Sequence, residues 1–182
     1  MRRLIFGFLA AASAVCGSAS ADQTDQRLDA LFEQLRSGEG NDAEAIAEEI
    51  DAIWTDSQSD TVDLLMNRAL GSLEAQQFDL AEALLDHVAG LSPNFAQGFA
   101  LRGAVRSANE DQVGAIADLS RAVELEPRHF EARIALAEIM LGGGDARGAY
   151  AMLQQALEWN PHEPHARERA RALRQKLDGQ EI

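Results

Sequence analysis

Four histidines, His87, His129, His162 and His165, are the ring nitrogens this chain offers for acid–base or metal chemistry. His162 and His165 stand three apart with Glu163 between them, which could bring two imidazoles and a carboxylate together. A metal site needs three or four converging ligands, often including an i, i+4 pair on a formed helix. Pro161 and Pro164 interrupt this segment, so it reads as a solvated loop at a helix start, and no metal is expected. His129 falls in the corresponding loop one period earlier and supports the loop reading. No Gly-x-Ser-x-Gly, His-Glu-x-x-His or phosphate-binding glycine loop occurs. Gly142-Gly143-Gly144 lacks the Lys-Ser/Thr that would complete the last of these and reads as a tight turn. No Ser/His/acid order stands out, and the abundant carboxylates suit solvated helix exteriors. Neither enzymatic activity nor a cofactor is expected.

The composition says what elements must carry these residues. The 182 residues include 33 alanines and few Val, Ile or Thr, a balance that favours helix. Charge is strongly acidic, 16 Lys+Arg against 30 Asp+Glu, for a net of −14. That excludes electrostatic binding to nucleic acid or to an anionic membrane surface, both of which need clustered basic residues. A single cysteine excludes a disulfide framework and a multi-cysteine metal site.

The chain opens with an export address. Arg2 and Arg3 form a positive region, Leu4 to Val15 an apolar run, and Ala19-Ser20-Ala21 a small-x-small cleavage site. This order predicts a signal peptide over 1–21, cleaved after Ala21. The 12-residue apolar run is short of the ~20 residues that span a bilayer. Cys16 raises the alternative of lipidation, but Val15 stands where a small residue is expected and no Leu lies three back. The expected product is a periplasmic protein with no membrane insertion after cleavage. Its charge is −16, because only Arg2 and Arg3 are lost. Residues 22–60 carry −10 and residues 162–182 carry +1, a polarity that permits weak head-to-tail self-association.

Pro93, Pro127 and Pro161 recur at intervals of 34. Five residues before them stand Val88, Ala122 and Ala156, eight before Leu85, Leu119 and Leu153, and twelve before Ala81, Ala115 and Ala149. Twenty-four before are Ala69, Gly103 and Ala137. The pattern resembles the tetratricopeptide repeat (TPR) family, in which each 34-residue unit is an antiparallel helix pair, A and B. Small residues let A and B approach, large apolar ones fill the layer between units, and proline ends helix B. The resemblance implies an all-α solenoid with units over 62–95, 96–129 and 130–163. Phe99, Gly103, Asp118-Leu119 and Ala122 make the second unit the best match. There Arg102 and Asp118 face each other and should form a salt bridge; Arg68 repeats the arginine, but Leu84 replaces its partner.

The flanks complete the array. Residues 22–61 form a helical hairpin, with Leu28, Leu31, Phe32 and Leu35 on one helix and Ile46, Ile50, Ile53 and Trp54 on the other. It lies one period before the first unit and reads as a degenerate repeat or a cap. Residues 164–182 form a C-terminal capping helix and tail, opened by Pro164.

What the resemblance implies is a concave surface, lined by helices A, that binds a peptide or helix of a partner protein. Carried over, its positions are Asp63, Met66, Leu70 and Leu73, then Gln97, Ala100, Ala104 and Ser107, then Glu131, Ile134, Glu138 and Leu141. This surface has no lysine, and only Asn67 approximates the clamp with which some members hold a terminal carboxylate. Met66, Leu70, Ile134 and Leu141 also suit core positions, the first two under the hairpin and the last under the capping helix. The expected function is a non-enzymatic interaction scaffold of the bacterial periplasm for an unidentified protein or peptide. The alternative, a membrane-held accessory of envelope assembly or solute transport, requires lipidation of Cys16.

Overall fold

The structure is a computed structural model that describes residues 25–38 and 40–179. The signal peptide expected over 1–21, Cys16 included, and the end of the tail lie outside the described residues. The described residues form nine helices and no strand: α1 (Arg27–Ser37), α2 (Gly40–Thr55), α3 (Asp60–Glu74), α4 (Phe78–Leu91), α5 (Ala96–Ala108), α6 (Gln112–Leu125), α7 (Phe130–Gly142), α8 (Ala146–Trp159) and α9 (Pro164–Asp178). The pairs α3–α4, α5–α6 and α7–α8 pack most closely, and each B helix packs in turn on the next A helix, with α9 closing on α8. This is an all-α solenoid of helix pairs.

The period is visible in the local chemistry. Gln76, Glu110 and Gly144, 34 apart, all take positive φ (57°, 65° and 84°) in the A-to-B turn. Glycine adopts this conformation without the steric cost that the other two bear. Asp111 and Asp145, each next in line, cap α6 and α8 by accepting from the N–H groups of Gly114 and Gly148. Within units, Ala69, Ala81, Ala115, Ala137 and Ala149 are fully buried where A meets B. At Gly103 an added Cβ would lie 2.7 Å from Leu119 Cγ, so the second unit closes tightest. The final helix buries Ala166, Ala170 and Leu173 against Ala137, Ala149 and Leu153, with Leu141 packed alongside.

The N-terminal hairpin does not stack as a preceding repeat: α2 packs on α5, and α1 packs on α8. Register explains why. Gly98, which packs the second unit on the first, has no room for a Cβ, which would sit 2.8 Å from Val88 Cγ1. The first unit carries Leu64 at that place, 54% exposed, and Leu80 on α4 is 49% exposed. The hairpin finds a better partner along the edge that carries the B-to-A turns. Its own core of Leu28, Phe32, Leu35, Ile50, Ile53 and Trp54 merges there with Phe130 and Ala156. Phe32 meets Trp159 edge-on at 5.7 Å, and Arg128 bridges to Asp29 at 2.7 Å while lying over Phe32.

Candidate functional site

The hairpin is latched through a histidine. His129 starts α7 in the turn after Pro127 and is 1% exposed, so it is not the solvated loop residue its position indicates. Trp54 stacks on its ring at 4.4 Å. The hydrogen bonds settle its tautomer. Nδ1 accepts from the N–H of Ala132 at 3.4 Å, so Nε2 carries the proton and donates to Gln97 Oε1 at 2.8 Å. The Gln97 amide donates in turn to Asp51 Oδ1 at 3.1 Å, which ties α7, α5 and α2 together. Burial, with the nearby Arg133 guanidinium adding to it, pushes the His129 pKa down from 6.5 to about 3.

Several hollows open on the helix-A face: one, about 560 Å³ between α2 and α3, includes Asp63, Met66 and Asn67, and three others meet at Glu131. The smallest of these three, about 140 Å³ between α5 and α7, is lined by Gln97, Ala100, Ala104 and Glu131 among others. A second, about 460 Å³ between α7 and α9, includes Glu131, Ile134 and Glu138, with Glu138 paired to Arg169 at 3.1 Å. The third, about 500 Å³, lies between α2, the start of α7 and the α8–α9 turn, and holds Glu44, Glu48, Asp51, Glu131 and Glu163. Glu131 stands where all three meet. Water reaches its side chain, yet it is walled in, and this enclosure, followed by repulsion from Asp51 and Glu163, pushes its pKa up from 4.5 to about 7. Desolvation pushes Asp51 up as well. Glu163 caps α9 by accepting from the N–H of Ala166.

The remaining candidate residues have other surroundings. Met66 is 2% exposed and packs in the first-unit core with Val62, Leu85 and Phe95. Asp63 accepts from the Ser57 hydroxyl and N–H and so fixes the link between α2 and α3. Leu70 is exposed on α3, outside these hollows. His162 lines the acidic hollow, and His165 the one between α7 and α9. Among the described residues, no group of three or more His, Cys, Asp or Glu side chains could hold a metal ion. Asp51, Glu44 and Glu48 went unrecognised in the sequence because only the packing of α2 brings them to the array.

The expected Arg102–Asp118 pair forms as a fork, Nε to Oδ2 at 2.8 Å and Nη2 to Oδ1 at 2.6 Å, with Asp118 buried. Arg106, one turn on, reaches the same carboxylate at 2.8 Å and bonds Glu82 on α4 at 2.9 Å; Asp86 contacts both arginines. The network staples the second unit to the first.

Stacked helix pairs with an open A face define a helical-repeat solenoid. Comparison with known proteins makes the class specific. The tetratricopeptide repeat family model matches residues 108–177. A TPR repeat-containing protein of Rhizobium etli is 32% identical over 155 residues, covering 85% of this chain and 76% of that protein. The chain belongs to the tetratricopeptide repeat family. Solved structures agree in fold. The first TPR domain of Spaghetti (RPAP3), bound to an HSP90 peptide, superposes with a TM-score of 0.62 at 17% identity, over 66% of this chain and 95% of that one. The Yersinia enterocolitica type III secretion chaperone SycD, in complex with a peptide of the translocator YopD, gives 0.61 at 21% identity, over 65% and 95%.

Proposed function

We propose that this protein is a periplasmic interaction scaffold that binds a peptide or helix of a partner protein on its helix-A face. The TPR fold is generally a non-enzymatic interaction module. The observation that carries the proposal is the open surface between α5 and α7, where Gln97, Ala100, Ala104 and Glu131 share a hollow that continues toward α9. Peptides bound to the RPAP3 repeat domain and to SycD support this use of the fold. Export rests on the ordered positive, apolar and small-residue regions of 1–21. Among the described residues no helix is long and apolar enough to cross a membrane.

Affinity capture from envelope extract tests the binding face. Ala104→Glu and Ile134→Glu put charge into two of the hollows; Met66→Glu is unsuited, because it would bury a charge in the core. The expected result is a partner retained by the native chain and lost with folded variants; an unchanged partner refutes the face. Mass spectrometry of the mature N-terminus tests export. A start at Asp22 is expected, and an acylated Cys16 would instead establish the membrane-held alternative.

A further inference from the structure

The hollow between α2 and α7 has a chemical bias that its family does not dictate. It is made by the hairpin, which packs on the array edge rather than extending the stack. Five carboxylates line it, from Glu44, Glu48, Asp51, Glu131 and Glu163. Among the described residues none of the five forms an ion pair with Lys, Arg or His, unlike Glu82, Asp86, Asp118 and Glu126 elsewhere in the fold. Its partly accessible apolar side chains are Ala47 here and Ile134 in the adjoining hollow, while Ala43 and Phe130 are buried behind them. Phe130, Glu131 and Glu163 line both, so the two form one groove.

We propose that this groove docks a basic segment of the partner protein, a lysine or arginine side chain lying among Glu48, Asp51 and Glu131 and adjacent apolar side chains lying on Ala47 and Ile134. The inference rests on the scaffold reading above and assigns its partner class. Charge complementarity carries it. Like charges gathered in one groove repel; Asp51 and Glu163 accept hydrogen bonds from Gln97 and from the Ala166 N–H, but no cationic side chain among the described residues pairs with any of the five, so a cation from outside is attracted. The half-buried Ala47 and Ile134 favour a peptide over a bare ion, because an ion would leave their apolar surface wet. The raised pKa of Glu131 comes first from desolvation and then from repulsion by Asp51 and Glu163, and a cation brought beside it would lower that pKa. Entry of a basic side chain therefore releases that proton, and affinity rises with pH up to about 7. Glu44, Glu48 and Asp51 from α2, and Glu163 and His162 from the turn before α9, face the same space; Arg169 and His165 lie beside the adjoining hollow.

The test is selection of a random dodecapeptide display library on the full chain, followed by fluorescence anisotropy on the enriched peptides. The expected peptides carry Lys or Arg beside Leu, Ile or Phe. They bind the Glu48→Gln/Glu131→Gln variant at least about tenfold more weakly and bind the native chain more weakly at pH 5.5 than at pH 7.5. Circular dichroism melts establish that the variant is folded, and spermidine serves as a competing small polycation. Enriched peptides without basic residues, equal affinity for the variant, or spermidine binding as tightly as the peptides would overturn the assignment. Neutral or acidic binders blocked by Ala104→Glu would remove the basic-segment inference while the scaffold reading stands. A library that yields no binder counts against both.

Discussion

Replacing Trp54 with alanine should release the N-terminal hairpin while the repeat array stays folded. Trp54 is 3% exposed and touches Phe32, His129 and Phe130 at ring separations of 5.8, 4.4 and 5.6 Å. Truncating such a side chain costs about 3–5 kcal/mol. The rest of the docking surface includes the Phe32–Trp159 and Arg36–Trp159 contacts, Arg128 on Asp29 and Phe32, the Gln97–Asp51 bond and apolar packing on Phe130 and Ala156. An ion pair with one exposed partner contributes about 0–1 kcal/mol, so loss of the Trp54 contacts removes the largest aromatic cluster that holds the hairpin. His129 provides the assay. Docked, it is neutral down to about pH 3; undocked, it should titrate near its ordinary 6.5. The gap corresponds to on the order of 5 kcal/mol of charging penalty. Because the folded pKa lies below the unfolded one, native stability holds above pH 6.5 and falls as pH drops toward 3. The alanine variant should lose that acid sensitivity at this site. Its ring resonance should move through neutral pH in an NMR titration, with amide protection lost in α1 and α2 and kept in α5 to α8. Trp54→Phe should retain the native behaviour, since it keeps an aromatic stack and removes the indole N–H, which is buried without a partner. A silent His129 and a protected hairpin in the alanine variant would refute the latch.

Three further outcomes follow from the same structure. A double-mutant cycle with Arg102→Met and Asp118→Asn should give a coupling of about 1–3 kcal/mol, as expected for charge-assisted bonds to a buried carboxylate; a value near zero would make the fork incidental. Glu131→Gln should stabilise the protein increasingly as pH rises from 4.5 to about 7, because a carboxyl with a raised folded pKa loses native stability over that window. Its contact with water holds the gain to about 1 kcal/mol, and a gain independent of pH in denaturant titrations would rule out the cause given. Asp111→Ala and Asp145→Ala should each cost about 1 kcal/mol as lost helix caps, whereas Gln77→Ala, at the equivalent place in α4, should cost little because Gln77 makes no capping bond.

The array was legible in the sequence because its forces are local and repeat. Proline after helix B, alanine where A crosses B and aspartate at the cap each act within a few residues, and the period multiplies a weak signal. The hairpin helices were legible for the same reason, since Leu28, Leu31, Phe32 and Leu35 mark one face. Their position was not. It depends on Trp54 meeting His129 and Phe32 meeting Trp159, contacts between residues far apart in the chain that no spacing encodes. His129 illustrates the consequence: its place in a turn indicates solvent, and the distant hairpin buries it. The Arg102–Asp118 pair could be read from facing positions within one unit. Arg106, Glu82 and Asp86 needed the packing of α4 on α5, although Arg106 follows Arg102 by one helical turn and Asp86 follows Glu82 likewise. The acidic groove was hidden for the reason the hairpin's position was, since its carboxylates come from α2, α7 and the turn before α9.

Site-specific photo-crosslinking in the producing cell tests the scaffold assignment most directly. A photoreactive residue at Ala104, exposed in the hollow between α5 and α7, is compared with one at Ala83, exposed on helix B of the first unit. The assignment predicts a discrete protein adduct from Ala104 and none from Ala83. Adducts from Ala83 alone, or an Ala104 variant that captures no protein, would contradict it.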